Sequence, residues 1–575
     1  MVNSLPPPNS PAPVSENIWR RKYRFGSETG VEETWERVAK AVAAAEPVDQ
    51  DVWASRFHDL LSDYRFLPGG RILANAGTER NATLLNCFVM GRLDDSIDGL
   101  FDALKESAIT LQAGGGIGLD FSPVRPAGAA AVRTGNIASG PVSFMHLWDA
   151  MCETMTADRA RRGAMMAVLR CDHPDIETFI DAKIQTGALS RFNLSVLVTD
   201  KFIRAVDADS DWPLVFEGQV IRVLKARTLW VKILRSAFDT GEPGILFIDR
   251  INQENNLGYT ESIHASNPCG EVPLPPYGAC DLGSLNLTHF VRQPLTPDAT
   301  FDFNEVANGA RLGVRFLDNV LDVSHYPLDV QAQQAHGSRR IGLGITGLAD
   351  ALIMLGLAYD SNDGREFTAR VLGTMRNAAY ETSVELADEK GSFPLFEKDA
   401  FLDRPFTRRL PEELRRAIRK KGIRNSHLMA VAPTGSISLL AGNVSAGIEP
   451  VFASNVSRRM RRSDGGYDVV DIEDFACRFW RETGGEGLPP AFVTAGGLSP
   501  EAHLAMQATA QDFIDNAISK TINANADIAF ETFANVYRRA YDLRLKGCTV
   551  YRQGSRGEDV LTTVTEGARC MSDTC

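Results

Sequence analysis

The chain has 575 residues, 44% of them hydrophobic, and a formal net charge of -12. This length allows several average domains or one large α/β barrel with additions, because chain length is only a weak guide to domain number. The acidic balance excludes a general nucleic-acid binder, which needs a basic surface, and no apolar run approaches the roughly 18 residues of a membrane span.

The N-terminal stretch "MVNSLPPPNSPAPVSE" has neither a basic start nor an apolar segment, so it is not a secretory signal. Its composition predicts a disordered tail over residues 1–18. Two segments with helical spacing follow, "ETWERVAKAVAAAE" and "DVWASRFHDLLSDYRF", and they predict a small helical N-terminal region over residues 19–85.

Residues 86–555 alternate short apolar strands, such as "ATLLNCFVM" and "FNLSVLVT", with helices such as "DGLFDALKESAITLQ". This alternation indicates an α/β fold. The polar residues 556–575 predict a mobile tail that carries Cys570 and Cys575. Nine cysteines without a dense framework indicate reduced thiols and a cytoplasmic protein, in which a disulfide would be catalytic.

The stretch "SNPCGE" places Asn267, Cys269 and Glu271 at every second position. An extended backbone would direct all three side chains to one face, and Pro268 and Gly270 disfavour a helix. We therefore predict an extended segment whose thiol, amide and carboxylate converge. The alternative is a structural thiol beside a turn, which is the commoner role of a free cysteine.

Three further motifs each allow two interpretations. The glycines of "QAGGGIGLDFS" fit neither a phosphate-binding P-loop nor a dinucleotide turn, and indicate either a tight turn or close backbone approach to a ligand. Thr434, Ser436 and Ser438 in "APTGSISLLAG" begin a helix, as an ordinary cap or as an anion site. The basic cluster "SRRMRR" is interpreted as solvated charge, with phosphate or subunit contact as the alternative. Metal-ligand spacings are absent from the sequence, so no metal site is predicted.

Taken together, the motifs resemble the catalytic subunit of a ribonucleotide reductase of the adenosylcobalamin-dependent class. They follow the family order from Trp19 to Arg556: "PGGRILANAG", "LLNCF", "AGGGIG", "SNPCGE", "CDLGSLNL", "RRIGLGITGLADALIMLG", "APTGSIS", "SAGIEP" and "NAISKTIN". The resemblance implies a ten-stranded α/β barrel over residues 86–555 with "SNPCGE" at the tip of a central finger loop. It also implies adenosylcobalamin as cofactor and reduction of ribonucleoside diphosphates to 2′-deoxyribonucleotides for DNA synthesis.

The resemblance further implies a role for each thiol. Cys269 becomes a transient thiyl radical that removes the 3′ hydrogen of the ribose, while Glu271 acts as base at the 3′ hydroxyl and Asn267 holds the sugar hydroxyls. Cys87 and Cys280 lie on neighbouring strands and close to a disulfide in each turnover. Thiol exchange with Cys570 and Cys575 in the tail, and then with a thioredoxin-like reductant, restores them. The implied substrate-binding residues are Arg71, Asn86, Cys87, Gly116, Asn267, Glu271, Pro433, Thr434, Gly435, Ser436 and Ile437.

The resemblance also implies regulation by effectors and an oligomeric state. The segment Ala182–Asn193 resembles the loop that reports a bound deoxynucleotide effector to the substrate site, and a homodimer is implied. Subunit-dependent relatives carry two adjacent tyrosines where "GCTVYRQGS" has Val550 beside Tyr551. This difference favours the cobalamin-dependent class. The alternatives are the large subunit of a metal-dependent class I enzyme, which needs a radical-generating partner, and a non-catalytic nucleotide sensor on the same fold.

Overall fold

The computed structural model describes residues 13–131, 136–156, 163–185, 187–461, 467–555 and 561–563. Cys570 and Cys575 of the predicted redox tail lie outside the described residues. Among the helices of these ranges, none combines the length and the apolar composition needed to cross a bilayer.

The first helix begins inside the segment predicted to be disordered. It spans Pro13–Lys22, so the predicted boundary at residue 18 is wrong. Val14, Ile18 and Trp19 are buried in one cluster with Leu439 and Leu440, and this apolar face holds the helix against the chain. Proline is tolerated in the first turn of a helix, which is why a proline-rich segment can end in one.

The helical N-terminal region continues with Val31–Ala43 and Gln50–Leu61. The buried side chains of the second helix follow helical spacing, with Trp35, Val38 and Val42 on one face. Residues 66–68, within the region predicted to be helical, instead form the first strand of the main sheet. An apolar run of three residues is too short to reveal a strand from its periodicity.

The main sheet has ten strands and confirms the predicted α/β fold class. Its strands are β1 (Phe66–Pro68), β2 (Cys87–Val89), β3 (Gly116–Asp120), β4 (Met165–Arg170), β5 (Phe192–Val198), β6 (Gly244–Phe247), β7 (Ala279–Asn286), β8 (Ile341–Thr346), β9 (Thr521–Ala524) and β10 (Gly547–Arg552).

The strands form two parallel sets that run in opposite directions. Strands β2 to β6 are parallel neighbours in chain order, β8 is parallel to β7, and β9 is parallel to β10. The sets meet antiparallel where β7 pairs with β2 and where β6 pairs with β10, and β1 pairs antiparallel with β7.

A short segment closes this sheet into a barrel. It forms parallel bridges from Met429 to Leu343 of β8 and from Val431 to Ile518, which lies just before β9. The amide of Ala430 donates to the carbonyl of Leu343 at 3.1 Å, and the amide of Ser519 donates to the carbonyl of Val431 at 2.9 Å. The segment therefore stands between β8 and β9 and completes the ring.

Helices cover the outside of the barrel and connect its parallel strands, as parallel pairing requires. The longest ends at Lys390 before Gly391, which has φ +85°, and Ser499 caps another helix by accepting from the amide of Ala502. These helices are Gly70–Asn75, Ile97–Ala113, Pro141–Thr156, Ile176–Asp181, Asp200–Asp207, Ala226–Thr240, Ile248–Gln253, Phe303–Val323, Asp329–Ser338, Leu348–Met354, Asn362–Lys390, Lys398–Leu402, Pro405–Arg408, Glu412–Lys421, Gly435–Leu440, Phe475–Glu482, Pro500–Gln511 and Phe530–Asp542.

Small strand groups lie beside the main sheet. One is a ribbon of Asn455–Arg461 and Tyr467–Glu473, to which Leu561–Thr563 adds a third strand. The other pairs are Ala130–Ala131 with Asn136–Ile137, Asp211–Phe216 with Gln219–Lys225, Ala265–Ser266 with Pro273–Leu274, and Val291–Arg292 with Thr300–Phe301.

Candidate active site

The stretch "SNPCGE" forms the tip of a hairpin whose short strands are Ala265–Ser266 and Pro273–Leu274. The prediction of an extended backbone is wrong, because the amide of Gly270 donates to the carbonyl of Asn267 at 3.1 Å and closes a tight turn. Asparagine, proline and glycine at the first, second and fourth positions are the residues that such turns favour, and Gly270 has φ +81°.

Two glycines of β3 allow this loop to lie against the strand. A Cβ on Gly118 would come within 1.9 Å of the carbonyl oxygen of Ser266, and a Cβ on Gly116 would come within 3.2 Å of the ring of Pro268. The group that approaches is the finger loop itself. These contacts are close packing within the chain, as the interpretation of the motif as a turn predicts, and close approach of a ligand to these glycines stays a prediction.

The finger loop borders a cavity of about 390 Å³. This volume lies within the range of about 300–1,000 Å³ that small-molecule sites occupy. Cys280 is not among the residues that line the cavity, and it is paired with Cys87 on the neighbouring strand. The predicted residues that do line it are Arg71, Asn86, Cys87, Gly116, Asn267, Cys269, Glu271, Pro433, Thr434, Gly435, Ser436 and Ile437.

Cys87 and Cys280 face each other across the antiparallel pair β2 and β7. Directly opposed residues of such a pair have Cα atoms about 4.5–5.5 Å apart, which is within the range for a disulfide. Both side chains are buried and carry separate thiols. Burial raises the pKa of each thiol well above its usual value, with Glu271 adding to the effect at Cys87 and Asp281 at Cys280. The pair is therefore protonated at neutral pH.

Asn267 links the turn to the buried thiol. Its Nδ2 donates to the sulfur of Cys87 at 3.0 Å, and its Oδ1 accepts from the amide of Val272 at 2.9 Å. A side chain held at both ends by buried partners keeps a single orientation, so the amide is positioned before a substrate binds.

Glu271 adds a proton acceptor to the same wall. The sulfur of Cys87 lies 3.9 Å from its Oε1, whereas its Oε2 is buried without a hydrogen-bond partner in the described part of the chain. Burial raises the pKa of this carboxyl to about 7. A carboxyl that titrates near neutrality can both accept and return a proton at the pH of a cell.

Cys269 differs from the other two thiols because its side chain is exposed at the loop tip. It borders both the first cavity and a second one of about 250 Å³. The second cavity is also lined by Gln507, Lys520 and Lys546, and the Oε1 atom of Gln507 is buried there without a partner in the described residues. The side chain of Cys269 thus stands between two cavities.

The structure also brings residues to the first cavity that the sequence interpretation missed. Arg458 of "SRRMRR" lines it, so the interpretation of that residue as solvated charge is wrong. Lys22 contacts its wall through Ser436, at an Nζ to Oγ distance of 2.9 Å. Asn193, at the end of the predicted effector loop, donates to the carbonyl of Pro268 at 2.8 Å and so joins that loop to the finger loop.

A metal centre is not visible in the parts of the chain that the structure covers. No group of three or more His, Cys, Asp or Glu side chains there is arranged to hold an ion.

Comparison with known proteins identifies the class to which this barrel and its thiols belong. Residues 10–81 match the family described as "Ribonucleotide reductase, all-alpha domain", and residues 85–551 match "Ribonucleotide reductase, barrel domain". The chain belongs to the ribonucleotide reductase family.

Particular relatives carry more specific names. The chain is 38% identical to a "Vitamin B12-dependent ribonucleoside-diphosphate reductase" of Mycobacterium tuberculosis (strain CDC 1551 / Oshkosh), over 95% of this chain and 80% of the relative. A protein of the same name from Thermoplasma acidophilum is 34% identical, over 96% of this chain and 72% of the relative. A "Ribonucleoside-diphosphate reductase large subunit" of Vaccinia virus (strain Copenhagen) is 29% identical, over 85% of this chain and 70% of the relative.

Proposed function

We propose that this protein is an adenosylcobalamin-dependent ribonucleotide reductase that converts ribonucleoside diphosphates into 2′-deoxyribonucleotides for DNA synthesis. The observation that carries the proposal is the meeting of Asn267, Cys269, Glu271 and Cys87 around one cavity, with Cys280 paired to Cys87 on the neighbouring strand. The vitamin B12-dependent names of the relatives at 34–38% identity support the choice of cofactor and of diphosphate substrates.

The reaction begins at the exposed thiol of the loop tip. As a thiyl radical, Cys269 takes the 3′ hydrogen atom of the ribose, which re-forms its S–H bond and leaves a carbon radical on the sugar. Glu271 accepts the proton of the 3′ hydroxyl, and its pKa of about 7 suits that transfer. Asn267 holds the sugar hydroxyls with an amide that the turn already orients.

The buried pair then supplies the reducing equivalents. Cys87 and Cys280 give up two hydrogen atoms and form one disulfide, while the 2′ carbon–oxygen bond breaks, water leaves and a 2′ carbon–hydrogen bond forms. Cys269 returns its hydrogen atom to the 3′ carbon and becomes a thiyl radical again, while Glu271 returns the proton to the 3′ oxygen. Because the pair is held on adjacent strands, the disulfide forms without a large movement of the backbone.

The second cavity fits part of the cofactor. Its volume of about 250 Å³ is too small for a whole cobalamin, so only the part of the cofactor next to Cys269 would enter it. Gln507 offers an unpartnered buried acceptor, and the amines of Lys520 and Lys546 are close by. When bound, adenosylcobalamin supplies the one-electron oxidation that converts the Cys269 thiol into its radical.

Nucleotide effectors, a homodimer and a thioredoxin-like reductant belong to the same proposal. The hydrogen bond from Asn193 to Pro268 supports effector control, because a change in the loop Ala182–Asn193 would move the finger loop that carries Cys269. Cys570 and Cys575 reset the disulfide by thiol exchange, which requires the reducing conditions of the cytoplasm.

Two other functions are less well supported. A metal-dependent class I large subunit would depend on a radical relay of adjacent tyrosines, whereas Val550 occupies one of those positions and is fully buried. A nucleotide sensor would have no use for the opposed pair Cys87 and Cys280 beside a carboxyl that titrates near neutrality.

The proposal is tested by anaerobic turnover of the purified chain with adenosylcobalamin, a small dithiol and each ribonucleoside diphosphate. We expect deoxynucleotide formation and its complete loss in Cys269→Ser, because an alcohol O–H bond is too strong to replace the thiol. Cys87→Ser and Cys280→Ser should still start radical chemistry on the substrate and fail to complete multiple turnovers. Normal turnover by Cys269→Ser would refute the mechanism. Cys477→Ser, which changes a buried thiol outside both cavities, is the matched control.

A further inference from the structure

Two cations that lie outside the barrel sheet reach one end of the substrate cavity. Lys22 is the last residue of the helix Pro13–Lys22, and its Nζ donates to Oγ of Ser436 at 2.9 Å. Arg458 belongs to the ribbon strand Asn455–Arg461 and lines the cavity directly. Neither residue stands in a motif of the barrel.

One small apolar core positions both cations. Ile18 of the N-terminal helix, Val456 of the ribbon and Leu440 behind the cavity wall are buried in the same cluster. The hydroxyl of Ser15 also donates to the carbonyl of Leu439 at 3.4 Å. The N-terminal region therefore packs on the segment that carries Ser436, and this packing brings Lys22 to the cavity wall.

The local charge balance favours an anionic ligand. Burial alone lowers the pKa of the Arg458 guanidinium, and no carboxylate pairs with it in the part of the chain that the structure describes. A partly buried cation without a counter-charge is costly, and a bound anion offsets that cost. Among the described residues that line the cavity, Glu271 is the only carboxylate, and it contacts the thiol of Cys87.

We propose that Lys22 and Arg458 bind the terminal phosphate of the nucleotide and so make this site select diphosphates; this inference rests on the proposed function. The sugar must lie at Cys87, Asn267 and Glu271 for the reaction to occur. The phosphates then extend along the same cavity towards Ser436. A guanidinium and an ammonium there match the oxygens and the charge of a terminal phosphate.

The test measures binding rather than turnover. Equilibrium dialysis gives dissociation constants for a nucleoside, its monophosphate and its diphosphate with the whole chain and with Lys22→Gln and Arg458→Gln. The matched controls Arg20→Gln and Arg481→Gln remove exposed charges from the same helix and from beside the same ribbon. We expect the constant for the diphosphate to rise roughly tenfold to a hundredfold in each test variant. The constant for the nucleoside should not change, and neither control should have an effect.

A second comparison separates recognition from folding. Arg458→Lys keeps the charge and should recover part of the affinity that Arg458→Gln loses. An unchanged constant for the diphosphate, or an equal loss for the unphosphorylated nucleoside, would overturn the inference. If the wild-type chain reduces no ribonucleotide while Arg458→Gln loses affinity for the diphosphate and not for the nucleoside, the reductase proposal fails and the phosphate site stands. If the wild-type chain is an active reductase and both variants bind diphosphate normally, only the phosphate site fails.

Discussion

The carboxyl of Glu271 couples the chemistry of the site to the stability of the fold. Burial raises its pKa to about 7 from a value of 4.5, so the folded chain holds a proton that the unfolded chain releases. The contribution of this protonated carboxyl to the free energy of unfolding is fully present below about pH 4.5 and is lost as the pH rises towards 7. A shift of this size corresponds to about 3 kcal/mol.

We therefore predict that Glu271→Gln removes this part of the pH dependence. The free energy of unfolding of the wild-type chain, measured with denaturant at a series of pH values, should fall between about pH 4.5 and 7 more steeply than that of the variant. The variant should also lose reductase activity, because an amide cannot accept the proton. Glu261→Gln, which changes a carboxylate paired with Arg340 elsewhere, is a control for general charge effects. Parallel pH curves for the wild-type chain and Glu271→Gln would contradict the raised pKa.

The sequence made the thiols, the amide and the carboxyl visible because they lie in short motifs. Asn267, Cys269 and Glu271 are close in the chain, and the resemblance supplied Cys87 and Cys280. Lys22 was not predicted, and Arg458 was covered only by the alternative interpretation of its basic cluster, because each reaches the cavity through the packing of a distant element. A basic cluster in a sequence does not reveal which of its members faces a cavity.

At the scale of the element, the finger loop shows how two sequence signals can compete. Alternation of side chains predicted an extended segment, whereas the order asparagine, proline, any residue, glycine is typical of a turn. The turn is closed by the hydrogen bond from the amide of Gly270 to the carbonyl of Asn267, between strands that end at Ser266 and resume at Pro273. The convergence of Asn267 and Glu271 on the cavity results from this turn.

The C-terminal strand Leu561–Thr563 gives the predicted redox tail a defined origin. It pairs with the ribbon so that Leu561 lies opposite Arg458, which lines the substrate cavity. The stretch from Thr563 to Cys570 can span at most about 25 Å when fully extended. The strand ends at Thr563, opposite Val456, and thiol exchange between the tail and the pair Cys87 and Cys280 stays a prediction.

We predict that the double variant Cys570→Ser with Cys575→Ser keeps its activity with a small dithiol and loses it with thioredoxin. The physical reason is access, because a small dithiol can enter the cavity and a folded reductase protein cannot. The measurement is the rate of deoxynucleotide formation with each reductant, and Ser572→Ala is the control for a change in the tail that keeps both thiols. Equal loss with both reductants would argue against the relay, and no loss with either would make these cysteines incidental.

At the scale of the whole molecule, the fold class could be predicted from the sequence more readily than the way in which the sheet closes into a barrel. Strands such as Phe192–Val198 have enough apolar residues to be recognised alone. The bridges at Met429 and Val431 involve isolated residues, and β1 has three residues, so neither leaves a periodic signal. The ring and its boundary with the N-terminal region therefore depend on tertiary pairing.

The source of the radical is also a property of the whole molecule. Val550 lies in β10, is fully buried and pairs with Ile522 of β9, so an aliphatic side chain fills one of the two positions at which subunit-dependent relatives carry tyrosines. Valine cannot be oxidised at an accessible potential, which interrupts a stepwise relay from a partner subunit. A cofactor bound beside Cys269 generates the radical next to the thiol and needs no relay.

We predict that the chain alone is active under anaerobic conditions with a dithiol when adenosylcobalamin is added, and inactive when it is omitted. Val550→Tyr, which restores a pair of adjacent tyrosines, should not relieve the requirement for cobalamin, because the chain would still lack a radical-generating partner. The wild-type chain assayed with a metal-loaded small subunit in place of cobalamin is the decisive comparison. Activity that appears only in that mixture would assign the protein to the subunit-dependent class, because the radical would then come from the partner subunit. In that case the radical would have to reach Cys269 without a tyrosine at position 550.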